Sequence, residues 1–225
     1  MMDESVLQRT IVALDTLVLE EACAWVAQYH HRVHAFKVGV GLILRYGLDG
    51  LQPLCEAGAE RIFLDLKLHD IPHAVGLAVR QVSQYGIWML TVHASGGEAM
   101  LRASVEASRE CPARPLLIGV TVLTSLDRCA LQAVGVARTP KAQVLRLSRL
   151  AHRCGLDGVV ASPHEARILR RHLPSPFLIV TPGVRPAGSD QTDDQRRVAT
   201  PEQALRWGAD FVVMGRALTH PTTNR

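Results

Sequence analysis

Ile62-Phe63-Leu64-Asp65-Leu66-Lys67-Leu68-His69-Asp70-Ile71-Pro72 is the stretch on which the reading of this chain turns. Its first part, residues 62–67, is short, apolar and bounded by turn signals, as expected of a strand buried on both faces. Yet it carries Asp65 and Lys67 two residues apart, and the period of a strand points both to one side. Asp70 follows in the turn before Pro72, and proline is favoured in the first turn of a helix. The segment therefore reads as strand, turn and helix, with charges gathered at the strand's carboxyl end.

The same unit recurs along the chain. Runs rich in Val, Ile and Leu stand at residues 11–15, 35–39, 62–67, 89–94, 116–123, 158–162, 178–183 and 211–215. Helical patterns fill the intervals at residues 19–30, 42–56, 72–85, 98–109, 141–153, 163–172 and 201–207. The second of these holds Gly47 and Gly50, which predicts a bend or break. Gly58, Gly86, Gly155 and Gly208 sit where helices give way to strands, the usual place for a C-terminal glycine cap. Eight strands alternating with seven helices is the count of an α/β (β/α)₈ barrel. A doubly wound open sheet is the alternative, weakened by the lack of a GxGxxG turn after the first strand. With no linker or low-complexity tract, residues 1–225 are expected to form a single barrel domain. Only ten residues follow Gly215. That predicts a barrel lacking a full eighth helix, whether by truncation or by a different closure.

Composition narrows the function classes. Hydrophobic residues make up 48% of the 225 and charged residues 20%, ordinary globular proportions. The net charge of +4 is spread along the chain with no basic run interleaved with aromatics, which speaks against a nucleic-acid surface. It suits a small anionic substrate. Cys23, Cys55, Cys111, Cys129 and Cys154 form no CxxC pair and are odd in number, which argues against a disulfide framework or zinc site and for a reducing cytoplasm. The amino-terminal residues lack the apolar core of a signal peptide. No apolar run approaches the roughly 18 residues of a membrane span.

In a (β/α)₈ barrel the chemistry lies at the carboxyl ends of the strands. Asp65 and Lys67 could be a structural ion pair and Asp70 a helix cap, but inward charges on a barrel strand are costly unless paired and used. Lys37 ends the second strand; alone it reads equally as a snorkelling lysine. Beside the third strand it completes an alternating array of Lys37, Asp65, Lys67 and Asp70, expected to titrate as one coupled unit. Asp15 ends the first strand, either as a helix cap or as an acceptor for a sugar hydroxyl. Strands seven and eight lead into Gly183-Val184-Arg185 and Gly215-Arg216. Barrels often bind phosphate there, glycine admitting backbone N–H groups and arginine supplying a fork of donors. Residues 184–199 are too long for an ordinary connection and read as a lid or binding loop.

Taken in order, the motifs VALD, FKVG, FLDLKLHDIP, TVHASGG, VTVLTS, CGLDGVV, TPGVRP, DQRR, TPEQAL and MGR resemble those of the bacterial orotidine 5′-phosphate decarboxylase family over nearly the whole chain. The resemblance implies decarboxylation of orotidine 5′-monophosphate to uridine 5′-monophosphate in de novo pyrimidine synthesis, by a cytoplasmic homodimer using no metal or cofactor. It implies that Asp15 and Lys37 hold the ribose, that Asp65 sits against the substrate carboxylate and that Lys67 delivers the proton replacing carbon dioxide. Asp70 would reach across the dimer interface. Thr124 would hold the nucleotide, and Arg185, Gln195, Gly215 and Arg216 the phosphate, with residues 184–199 closing as a lid. Ala74 departs from the family's usual threonine, and the short carboxyl end is a second departure. His93, though at a strand end, is read as a barrel-mouth histidine satisfied locally.

Such a reaction leaves an electron pair on a ring carbon, and no thiamine, pyridoxal or metal motif is apparent to take it. Fixed charge and proton delivery by Lys67 are then the expected means. Two alternatives stand beside this reading. One is a Mg²⁺-dependent sugar-phosphate decarboxylase or aldolase on the same barrel, for which an acidic ligand is expected where Lys37 stands. The other is a non-catalytic nucleotide-phosphate binding protein that kept the scaffold.

Overall fold

A computed structural model describes residues 3–185 and 199–219 of the chain. Its eight strands are β1 (Thr10–Ala13), β2 (Ala35–Gly39), β3 (Ile62–Leu68), β4 (Met89–His93), β5 (Leu116–Val120), β6 (Gly158–Val160), β7 (Leu178–Thr181) and β8 (Phe211–Met214). All pair in parallel, each with its neighbour in sequence, and β8 pairs back onto β1 to close a barrel. The open-sheet alternative is thereby removed. So is the expectation of an unusual closure, since Thr10, Ile11 and Val12 face Val212, Val213 and Met214 in regular register.

Alternation along each strand sorts the buried residues into two cores. Ile11, Ala13, Ala35, Phe63, Met89, Ile118, Val180 and Val213 fill the barrel interior. Trp88 and Phe211 pack against them, ring edge to ring face at 5.4 Å between centroids. The intervening residues, among them Val12, Phe36, Leu64, Leu90, Val159 and Ile179, face outward onto the helices. Strands buried on both sides read as continuous apolar runs for this reason. One step of two further along the same inward rows stand Lys37, Asp65 and Thr91, so an apolar floor carries a polar storey at the carboxyl ends.

The helices follow the predicted order with shifted ends. Leu19–Tyr29, Pro72–Ser83, Gly97–Arg109, Pro140–Cys154, Pro163–His172 and Pro201–Arg206 cover the barrel. The predicted helix at 42–56 is broken, as its glycines suggested, into Val40–Tyr46, a 3₁₀ turn and Leu51–Glu56. Gly155 caps its helix at φ +87°, in the left-handed region that favours glycine. The short helices Glu4–Leu7, Arg128–Ala133 and Arg216–Thr219 were not expected. The last occupies the eighth-helix position in four residues, so a full eighth helix is absent from the described residues. Several predicted strands also end early: 11–15 stops at Ala13, 116–123 at Val120 and 178–183 at Thr181. Asp15, Thr124 and Arg185 therefore stand in the loops above the barrel rather than on strands.

Candidate active site

Four charged side chains form a chain across the mouth of the barrel. Lys37 Nζ lies 3.2 Å from Asp15 Oδ1 and 3.5 Å from Asp65 Oδ2. Lys67 Nζ donates to the same Asp65 Oδ2 at 2.8 Å. The order is thus Asp15, Lys37, Asp65, Lys67, alternating in sign and drawn from β1's loop, β2 and β3. Lys37 and Asp65 are the buried members, with side chains 13% and 11% exposed, while Lys67 is 38% exposed and Asp15 faces solvent.

Burial acts against both inner charges, and the array reverses it. Burial pushes the Asp65 carboxyl up, but the charges of Lys37 and Lys67, with hydrogen bonds from Lys67 and Thr91, outweigh it and hold Asp65 below the ordinary carboxylate range. Burial pushes the Lys37 ammonium down, but Asp65 and Asp15 outweigh it and raise the group above an ordinary lysine. Both stay ionised at neutral pH. Neither charge is stable in its place without its partners.

The predicted reason for the Asp65–Lys67 contact needs correction. Lys67 does not continue a regular strand. Its φ is +49°, and it is the one non-glycine in the described residues with a positive φ. The β3–β4 ladder shifts register between Leu64 and Leu68. Its amide donates instead to Thr91 Oγ1 at 2.8 Å. The two side chains meet across this irregularity at the carboxyl end of β3.

These features can be compared with known proteins. A family model described as "Orotidine 5′-phosphate decarboxylase / HUMPS family" matches residues 8–223. The chain belongs to the orotidine 5′-phosphate decarboxylase family. It is 47% identical over 217 residues to the orotidine 5′-phosphate decarboxylase of Vibrio cholerae, covering 95% of this chain and 93% of the relative. It is 46% identical over 211 residues to the protein of that name from Nitrosococcus oceani, covering 94% and 90%. Among solved structures, the orotidine 5′-phosphate decarboxylase of Lactobacillus acidophilus aligns with a TM-score of 0.82 at 35% identity, covering 96% of this chain and 93% of that one.

The remaining residues expected of a member of the orotidine 5′-phosphate decarboxylase family are placed unevenly. Gly215 follows β8 against Asp15: a Cβ built there would stand 3.4 Å from Asp15 Oδ2. Arg216 is exposed at the start of the last short helix. The amide of Arg185 donates to Ala199 O at 3.0 Å, beside the bridge between Val184 and Ala199 that ties the two ends of the long loop together. Thr124 is half-buried beyond the end of β5. Gln195 and nearly all of the expected lid at 184–199 lie outside the described residues.

Asp70 is the clearest departure from the array read in the sequence. It is exposed, its Oδ1 accepts from the Ile71 amide at 2.6 Å, and it takes no part in the ion-pair chain. Asp15 occupies the fourth place instead. The cap readings also fail: the caps of Leu19–Tyr29 and Pro72–Ser83 are Val18 and Ile71, neither with a side-chain bond. His93 is half-buried and stacks on His69 at 5.1 Å between centroids. Burial first, then the neighbouring His69 and Lys67, lower its pKa against the opposing pull of Asp65. That agrees with a local partner for His93. The sequence reading missed Thr91, a threonine in an apolar strand whose only available signal was its inward register with Asp65.

Proposed function

We propose that the protein decarboxylates orotidine 5′-monophosphate to uridine 5′-monophosphate, in de novo pyrimidine synthesis, with no metal or cofactor. The observation that carries the reading is the Asp15–Lys37–Asp65–Lys67 chain at the strand ends of a barrel belonging to this family. Two ammonium groups flank Asp65, and positive charge there opposes a divalent cation. Among the described residues, no group of three or more His, Cys, Asp or Glu could hold a metal ion. The paired ammonium groups weigh against the Mg²⁺-dependent alternative.

In this reading the C6–carboxylate bond breaks, carbon dioxide leaves and the electron pair stays on C6. The Lys67 ammonium stands by to stabilise that pair and then to transfer its proton, and solvent restores the lysine. Asp65 lies against the departing carboxylate. Its fixed negative charge favours release over retention. Asp15 and Lys37 hold the ribose, and Thr124 the nucleotide. Arg185, Gly215 and Arg216 grip the phosphate together with Gln195. Phosphate binding far from C6 then orients the ring.

The working form is a cytoplasmic homodimer of single-domain protomers, in which Asp70 acts in the partner's site. Two observations support that placement. Asp70 is exposed and bonds the Ile71 amide rather than the ion-pair chain, and its neighbours Ile71 and Leu77 are 66% and 52% exposed, apolar surface suited to an interface. Five free cysteines suit a reducing compartment. No helix of the described residues is long and apolar enough to cross a membrane.

The test is to mix the purified protein with orotidine 5′-monophosphate and excess EDTA and follow loss of the orotate chromophore. Conversion to uridine 5′-monophosphate is expected. No conversion by folded, dimeric protein would overturn the reading. Tight product binding without turnover would point to a binding protein.

A further inference from the structure

Thr91 is fully buried on β4 and faces the barrel interior. A hydroxyl has one proton to give and lone pairs to accept with. Here both capacities are used on the ion-pair chain. Thr91 Oγ1 accepts from the Lys67 amide at 2.8 Å and donates to Asp65 Oδ1 at 2.9 Å. One atom therefore holds the backbone of one charged residue and the carboxylate of another.

Each bond fixes something the neighbouring strand cannot. Between Leu64 and Leu68 the β3–β4 ladder loses its register, so Lys67 has no ladder partner in the regular pattern. The threonine hydroxyl replaces it and secures Lys67 at φ +49°, a conformation that a lysine rarely adopts. The second bond ties down Oδ1 of Asp65 and leaves Oδ2 for both ammonium groups, Lys67 at 2.8 Å and Lys37 at 3.5 Å. Without it the carboxylate is held through Oδ2 alone.

We infer that Thr91 is a positioning residue for decarboxylation, its single hydroxyl setting both the facing of Asp65 and the backbone turn that aims Lys67. It contacts no substrate in this account and acts through its two neighbours. The inference rests on the reading of Asp65 and Lys67 as the reacting pair.

Three variants test it: Thr91→Val, which keeps the branched shape and removes the hydroxyl; Thr91→Ser, which keeps the hydroxyl; and Lys67→Ala as a control. Thr91→Val is expected to lower kcat about 10- to 100-fold, the worth of a hydrogen bond to a charged group, with uridine 5′-monophosphate affinity within a few fold of wild type. Thr91→Ser should recover most of kcat. The acidic limb of the rate profile should move to higher pH in Thr91→Val, because Asp65 loses a bond that favours its ionised form. The charged groups facing Asp65 are otherwise unchanged: Lys37 with Asp15 behind it, Lys67, and His93 on β4. A threonine that only supports the strand would lower the melting temperature and leave kcat and the acidic limb of the folded enzyme where they were. That result, or a Thr91→Ser no better than Thr91→Val, overturns the inference. If Lys67→Ala itself retains turnover, the fault lies in the assignment of the reacting pair. If Lys67→Ala is dead and folded Thr91→Val is fully active, only the role of Thr91 is lost.

Discussion

Replacing Lys37 by methionine would leave a side chain of similar length but no charge between two carboxylates. In the native protein its ammonium stands 3.2 Å from Asp15 and 3.5 Å from Asp65, with 13% of the side chain exposed. Removing one partner of a buried ion pair costs about 3–5 kcal/mol. Asp65 keeps Lys67 and Thr91, and Asp15 is open to water, so Lys37→Met should cost about 3 kcal/mol at pH 7, the low end of that range. The cost has a pH signature. Asp65 is depressed below its unfolded value, so its contribution is present above roughly pH 4 and is lost as pH falls through the folded pKa. Lys37 is raised, so its contribution is present up to roughly pH 10 and is lost only above its folded pKa. Urea unfolding of wild type and variant across pH should show a constant penalty from about pH 5 to 9 that shrinks at both extremes. In the same variant kcat/KM should fall about 100-fold or more, as a site loses a charged contact and its neighbours lose their alignment. A penalty that is absent at pH 7, or the same at every pH, would refute the account of Lys37 as the central link of the chain.

Four further outcomes follow. Lys67→Ala should nearly abolish turnover while leaving uridine 5′-monophosphate affinity close to wild type, measured by steady-state kinetics and calorimetric titration. Near-normal turnover would sink the proton-donor assignment. Arg216→Ala should weaken binding of inorganic phosphate and of product but lower kcat/KM by several orders less than the lysine change, because its site is remote from C6; equal losses would mean that the chemistry is misplaced. Lys67→Ala and Asp70→Ala subunits, inactive separately, should regain activity when mixed and allowed to exchange. Lack of recovery in hybrids verified by mass spectrometry would count against a shared site. Gly158→Ala should destabilise the barrel by about 1–3 kcal/mol in urea unfolding, since its Cβ would stand 2.5 Å from the Leu178 carbonyl oxygen where β6 meets β7.

What could be read from residues alone was what repeats or alternates. The eight apolar runs marked the strands, and 35–39 matches β2 in full, because a strand buried on both faces announces itself by composition. The broken helix at 42–56 followed from two glycines. The nearness of Lys37 to Asp65 followed from two strand ends in a fold whose strands run in register, whereas the Asp15–Lys37 contact was not foreseen. The sequence signal failed where geometry is set by one side chain acting across strands. Thr91 is a common strand former and carries no mark of its two bonds. The left-handed turn at Lys67 is imposed by that threonine and not by a local glycine or asparagine. The helix Arg128–Ala133, held by an Asp127 cap on the Ala130 amide, is too short to show a period. Asp70 was grouped with the array because it is close in sequence, whereas in the turn after β3 its carboxylate bonds the Ile71 amide instead.

The closing seam of the barrel has a consequence for how the protein is made. β1 leaves the ribosome well before its partner β8, with Arg9 bonded to the carbonyl oxygens of Asp210 and Ala209 some 200 positions away. Until residue 214 has emerged, one flank of β1 has no native partner. Unpaired strand flanks are adhesive, and a nascent chain that must wait to join its two ends is exposed for the whole interval. The barrel has no sheet edge once it is finished and two until then, so protection during synthesis falls on whatever shields Thr10–Ala13 from other chains.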